Sequence, residues 1–176
     1  MRDGIIDGII DVEGGYVNDP SDSGGETNFG ITEEVARAAG YQGSMRDLPR
    51  ALAFDIYAKK YWDSVHGDTL AQLSEYVTRE VVDTGVNMGP ATAVTFLQRS
   101  LNVLNDRGRL YPDLVVDGHI GPATLRALSE YLAVRSELVL SRALNCLQGA
   151  RYIDLAERRE KDERFVYGWL THRVVI

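Results

Sequence analysis

The sequence predicts a mainly α fold, of the α+β class, with one small β-hairpin or loop after the first helix. Three observations predict it. Apolar residues recur at helical spacing along almost the whole chain. Prolines stand at helix starts rather than inside apolar runs. Only one segment, between Glu13 and Thr32, is dominated by Gly, Asn, Asp and Ser. With 176 residues, 44% hydrophobic and 26% charged, the chain is long enough for one sizeable core and too short for two full-sized domains.

Taken in order, Ile5, Ile6, Ile9 and Ile10 alternate with Asp3, Asp7 and Asp11 on an amphipathic first helix, with Asp3 placed to cap it and Gly14-Gly15 placed to end it. YVNDPSDSGGETNFGIT then carries the turn clusters Asn-Asp-Pro and Ser-Gly-Gly between short extended pieces. Thr32 caps a second helix whose first turn holds Glu33 and Glu34, and Gly40 closes it. Asp47-Leu48-Pro49 opens a helix running through Ile56 and Tyr57 towards Tyr61 and Trp62. A single helix is expected from Leu70 to Val86, ending at Gly89. Pro90 starts the next, with Ala93, Val94, Leu97, Leu101 and Leu104 inward. After DGHIGP, Pro122 starts a helical stretch reaching the carboxyl terminus, with a break expected at Gly149 and ERREKDER expected as a solvated face. No solenoid-period repeat is present. The expected organisation is one domain, 1–176, in which 1–89 is the catalytic half and the helical half 90–176 completes the cleft.

The balance of 19 Lys and Arg against 26 Asp and Glu gives a net charge of -7, which argues against a nucleic-acid backbone or an anionic membrane as the main partner. One cysteine excludes an intrachain disulfide and a thiolate-based zinc site, and His66, His119 and His172 lack metal-ligand spacing, so no metal is expected. Asp3, Asp7 and Asp11 interrupt what would be the apolar core of a secretion leader, and no apolar run reaches bilayer-spanning length.

Chemistry concentrates at Glu13. Its place after an apolar helix face and before two glycines suits a general acid, because desolvation and the negative end of the helix dipole both favour the protonated carboxyl. The bland alternative is an exposed glutamate at a frayed helix end. Asp22 and Thr27 follow on the turn-rich segment, and a hairpin folding back would bring Asp22 to Glu13. Glycoside hydrolysis uses such a pair of carboxyl groups, one on each side of the scissile bond. Asp22, between two serines, is equally placed to be an Asx-turn residue, and Glu26 is the nearby alternative carboxylate. Tyr61 and Trp62, with Tyr57, either offer an aromatic face to a sugar ring or pack in the core. Asn87 either caps the following helix or binds an N-acetyl group. The glycines and proline of Asp117–Pro122 are explained by backbone geometry.

The segment EGGYVNDPSDSGGETNFGIT resembles the amino-terminal signature of glycoside hydrolase family 108, lysozyme-like N-acetylmuramidases that are often phage endolysins. The resemblance continues through IYAKKYWDSV and VVDTGVNMGPATAVTFLQRSLN, and VVDGHIGPATLRAL is similar to the peptidoglycan-binding region at the carboxyl end of that family. It implies a lysozyme-like fold, bacteriolytic hydrolysis of the β-1,4 bond between N-acetylmuramic acid and N-acetylglucosamine, no cofactor, and a catalytic Glu at Glu13. Its partner would be the peptidoglycan strand, met in the bacterial wall or periplasm after release or export from the cytoplasm. A monomer is expected on a polymeric substrate. Phage-type lysozymes outside the family show a Glu, Asp, Thr series with one more residue between Asp and Thr than separates Asp22 from Thr27. Two rivals share the fold: a lytic transglycosylase working with one acid, and a non-catalytic wall-binding or secretion-assisting protein.

Overall fold

A computed structural model describes residues 1–18 and 25–174. They form nine α-helices and one two-stranded antiparallel sheet, so the mainly α expectation holds. The chain divides into two compact units, Met1–Asp63 and Ser64–Ile176.

In the first unit, α1 (Arg2–Glu13) buries Ile5, Ile6, Ile9 and Ile10. Its cap differs from expectation: the helix starts two residues earlier, at Arg2 with Met1 in the cap position, so Asp3 lies inside the first turn and makes no cap. Arg50, the first residue of α3 (Arg50–Tyr57), reaches both Asp7 (2.8 Å) and Asp11 (2.9 Å), clamping the polar edge of α1 to α3. The hairpin pairs β1 (Thr27–Asn28) with β2 (Ile31–Thr32). Thr32 then caps α2 (Glu33–Ala38) by accepting from the Val35 amide, as the sequence predicts. At the other end Gly40 donates to Arg37 O and Tyr41 to Ala36 O, the Schellman closure that needs the left-handed φ of +89° at Gly40. α3 passes directly into a π-helical turn, Ala58–Trp62.

The second unit holds α4 (Gly67–Leu73), α5 (Glu75–Met88), α6 (Pro90–Leu104), α7 (Pro122–Val134), α8 (Glu137–Arg158) and α9 (Glu163–Arg173). The single helix expected over Leu70–Val86 is broken at Ser74. There the backbone turns extended and the hydroxyl both accepts from the Val77 amide and donates to Glu137 at 2.6 Å, a cap and a tie to α8 in one side chain. The break expected at Gly149 is absent: α8 runs through it, and a methyl there would sit at ordinary contact distance from Val174 and Leu170. The chain turns instead at Arg159–Asp162, inside ERREKDER, where Asp162 is buried although its neighbours are exposed. Gln98 on α6, itself buried, organises the DGHIGP loop. Its amide donates to Asp117 and to His119 O, and its carbonyl accepts from the Asp117 and Gly118 amides. These bonds and the His119 amide hold the Asp117 carboxyl below its ordinary range.

Helix α5 packs on α6 and α8. A chain ended near Asn87 would leave its apolar face without Ala93, Val94, Leu97, Leu140 and Leu144. We expect such a fragment to show neither a cooperative melt in calorimetry nor wall-clearing activity. A soluble, active fragment would show that the amino-terminal segment is self-sufficient.

Three polar ties join α5 to the end of the chain and to α8. Asn145 donates to Glu80 at 2.6 Å, Gln148 donates to Asp83 at 3.0 Å, and Arg173 pairs with Asp83 at 2.8 Å. Burial, and secondarily the charge of Asp83 one turn away, push Glu80 up from its ordinary value of 4.5 to about 7, against the opposing bond from Asn145. Between those two values the folded state holds a proton that the unfolded chain has released. Stability tied to this group is therefore full at low pH and lost as pH rises through about 7. Glu80→Gln keeps an acceptor for Asn145 and has no charge to bury. Its melting temperature should match wild type near pH 4 and exceed it at pH 8, by several degrees for a difference of roughly 2 to 3 kcal/mol. Parallel pH-dependent melts check this.

Candidate active site

Glu13 is the last residue of α1, half-buried, and Gly14 at φ +82° turns the chain away behind it. The segment that follows is tied down twice. The Tyr16 ring lies 4.4 Å beneath the Arg46 guanidinium, and Val17 exchanges two 2.9 Å backbone bonds with Thr27. β1 thus has Val17 on one side and β2 on the other. The hairpin turns through Phe29 and Gly30, at φ +52° and +69°, the two positive values that a two-residue type I′ turn requires.

This tip lies against the acid. A Cβ on Gly30 would stand 2.8 Å from Glu13 Oε2, 2.8 Å from Tyr57 Oη and 3.0 Å from Glu13 Cβ, so only glycine fits. Tyr57, buried at the end of α3, donates its hydroxyl to Phe29 O at 3.0 Å and so holds the turn in place. The end of α1, the tip of the hairpin and the end of α3 converge on one carboxyl. Such a carboxyl, fixed by backbone on one side and partly open, is equipped to give or take a proton at a bound ligand.

The residues singled out from sequence are placed as follows. Asp22 lies outside the described residues. Glu26 is half-buried, and its carboxylate accepts from Asn18 at 3.4 Å across the base of the segment that contains Asp22. Thr27 is half-buried in β1, opposite Thr32, with its backbone committed to Val17. Its neighbour Asn28 is buried and donates to Met45 O at 2.8 Å, so Thr27 projects to the other face of the strand. Tyr61 is half-buried, its ring tilted against Tyr57 at 5.4 Å, with the Lys60 ammonium 5.5 Å from the ring centre. Trp62 is only 1% exposed, so of its two alternatives the core one applies, and a buried indole offers no face to a sugar. Asn87, in the second unit, caps nothing: its amide donates to Asp83 O, one turn back in its own helix, and Gly89 precedes α6 without a side-chain cap.

Sequence inspection missed Gly30 and the hydroxyl of Tyr57 as parts of the site. The Phe29-Gly30 pair between short extended pieces was the available signal for a tight turn. Nothing local indicated that the turn would meet Glu13.

Two family models place this mainly α chain with the peptidoglycan-acting glycosyl hydrolases. Residues 6–89 match the family Glycosyl hydrolase 108, and residues 92–174 match the Predicted Peptidoglycan domain. The chain thus carries an amino-terminal glycosyl hydrolase 108 segment followed by a carboxyl-terminal peptidoglycan domain. Among solved structures it is similar to that of Brucella abortus SagA, at 26% identity and a TM-score of 0.59, over 94% of this chain and 95% of the other. No curated protein matches it. Among the described residues no helix is long and apolar enough to cross a membrane.

Proposed function

We propose that this protein is an N-acetylmuramidase, hydrolysing the β-1,4 bond between N-acetylmuramic acid and N-acetylglucosamine in peptidoglycan, with Glu13 as the general acid. One observation carries the assignment of the acid: the glycine tip of the hairpin and the Tyr57 hydroxyl converge on the Glu13 carboxyl, within the segment that matches the hydrolase family. Glu13 protonates the glycosidic oxygen as the bond breaks, and a second carboxylate, in our reading Asp22, steadies the oxocarbenium-like centre or activates water. Thr27 stands at the base of the segment bearing Asp22 and positions it. Tyr61 and Asn87 are our candidates for contact with the sugar. The enzyme would act on the bacterial wall as a monomer, in the manner of an endolysin.

Mass spectrometry of muropeptides from a digest of purified walls tests the reaction. Reducing-end muramic acid is expected. Anhydromuramic ends would instead establish a lytic transglycosylase, and the absence of products a wall-binding protein without activity.

The second carboxylate has its own test. Asp22→Asn should keep activity below wild type but above Glu13→Gln, because stabilising charge or orienting water is work that neighbouring groups share more readily than proton donation. Glu26→Gln should stay close to wild type, its carboxylate being occupied by Asn18. Turbidity clearing by the three purified variants ranks them. A crippled Glu26→Gln beside an intact Asp22→Asn would transfer the role to Glu26.

A further inference from the structure

The second unit carries a groove of about 540 Å³ between α5 and α8, a size suited to a small ligand. One wall is Glu75, Tyr76, Arg79 and Glu80; the other is Leu138, Ser141 and Arg142. The first wall falls in the segment matching the hydrolase family and the second in the segment matching the peptidoglycan domain, so neither segment makes the groove alone.

Its chemistry is specific. In a chain of net charge -7, two guanidinium groups stand here beside the carboxyl groups of Glu75 and Glu80, and neither is held in an ion pair shorter than 3.7 Å. Arg79 meets Glu75 only at 3.7 Å, with both side chains more than half exposed, a pairing of small worth. Arg142 forms no ion pair among the described residues. Guanidinium forks match planar carboxylates. Beside them Tyr76 and Leu138 are 54% and 49% exposed, an apolar surface large enough for small side chains. At the floor Glu80 is held by the buried Asn145 at 2.6 Å. With its proton retained up to about pH 7, Glu80 offers a donor where an ionised carboxylate would repel an anion.

We propose that the α5–α8 groove is a binding site for the peptide stem of peptidoglycan, with Arg79 and Arg142 taking a stem carboxylate and Tyr76 and Leu138 taking the alanine methyl groups beside it. Neutral sugar rings supply no partner for two guanidinium groups, whereas a stem peptide carries both free carboxylates and small apolar side chains. The inference rests on the reading that this protein acts on peptidoglycan.

Calorimetric titration of the full chain tests it with four probes: a disaccharide-tetrapeptide, the free tetrapeptide, the tetrapeptide with its carboxylates amidated, and the disaccharide alone. The two probes with a free stem carboxylate should bind the wild type, and the disaccharide, whose one carboxylate is the lactyl group that carries the stem in the wall, should not. Amidation should weaken binding at least about tenfold, the loss of one charge-assisted hydrogen bond, as should Arg142→Ala or Arg79→Ala in proteins whose melting curves match wild type. Equal binding of the amidated peptide, unchanged binding by both arginine variants, or no tetrapeptide binding would overturn the proposal. Displacement of the tetrapeptide by inorganic phosphate at equal concentration would reduce the groove to a general anion site and overturn it as well. Product analysis separates this from the assigned reaction. A protein that cleaves walls but binds no tetrapeptide loses only the groove assignment, and one that binds tetrapeptide but releases no muropeptide loses only the hydrolase assignment.

Discussion

Glu13→Gln is expected to abolish nearly all wall-degrading activity while the protein stays folded. The amide matches the carboxyl in shape, so α1 keeps its four buried isoleucines and the hairpin tip keeps its neighbour. What the variant lacks is a transferable proton. General acid catalysis contributes on the order of a hundredfold to ten-thousandfold, and the loss should fall in that range, with an unchanged circular dichroism spectrum and a melting temperature level with wild type. Retention of more than a few per cent of turnover on isolated walls would remove Glu13 from the mechanism.

Gly30→Ala should come second in effect, although it changes no functional group. An alanine at φ +69° bears the strain of the left-handed region, about 1 to 2 kcal/mol, and its methyl collides with the Glu13 carboxyl and the Tyr57 hydroxyl at 2.8 Å each. The carboxyl must swing away or the tip must lift, and a displacement of about an ångström in a catalytic group costs around a hundredfold. Gly25→Ala supplies the control. Gly25 has the same φ of +69° with no atom of the described residues within 4 Å of the added methyl, so it carries the strain without that collision. Steady-state rates on solubilised wall fragments should fall steeply for Gly30→Ala and little for Gly25→Ala. Similar rates for the two would show that the hairpin tip does not position the acid.

The legible parts of the fold were those written locally. The Thr32 cap, the Gly40 closure and the proline starts of α6 and α7 each depend on residues within a few positions of one another, and each was read correctly. Errors arose where a distant partner decided. Apolar spacing continues across Ser74, and the break there is held by Glu137 on another helix as well as by the local cap on Val77. The Gly149 error is of another kind: a single glycine is tolerated inside a helix of 22 residues. The same division runs through the site. Glu13 stood out as a candidate because Gly14 and Gly15 follow it directly, whereas its approach by Gly30, with Tyr57 beside it, arises only when three separate elements meet. Tyr61 and Trp62 were ambiguous because the π-helical turn places one more residue in the turn and breaks the α-helical spacing on which a facing argument depends.

The tie between Arg173 and Asp83 spans 90 positions of sequence. On a translating ribosome Asp83 emerges long before its counterion exists, and α5 must wait with its carboxylates facing a surface that α8 and α9 have yet to cover. Closing so long a loop carries an entropic cost that no local contact offsets beforehand, so the second unit reaches its native state late. During that interval its apolar helix faces are open to other nascent chains, which makes the yield of folded protein sensitive to synthesis rate and to chaperone supply.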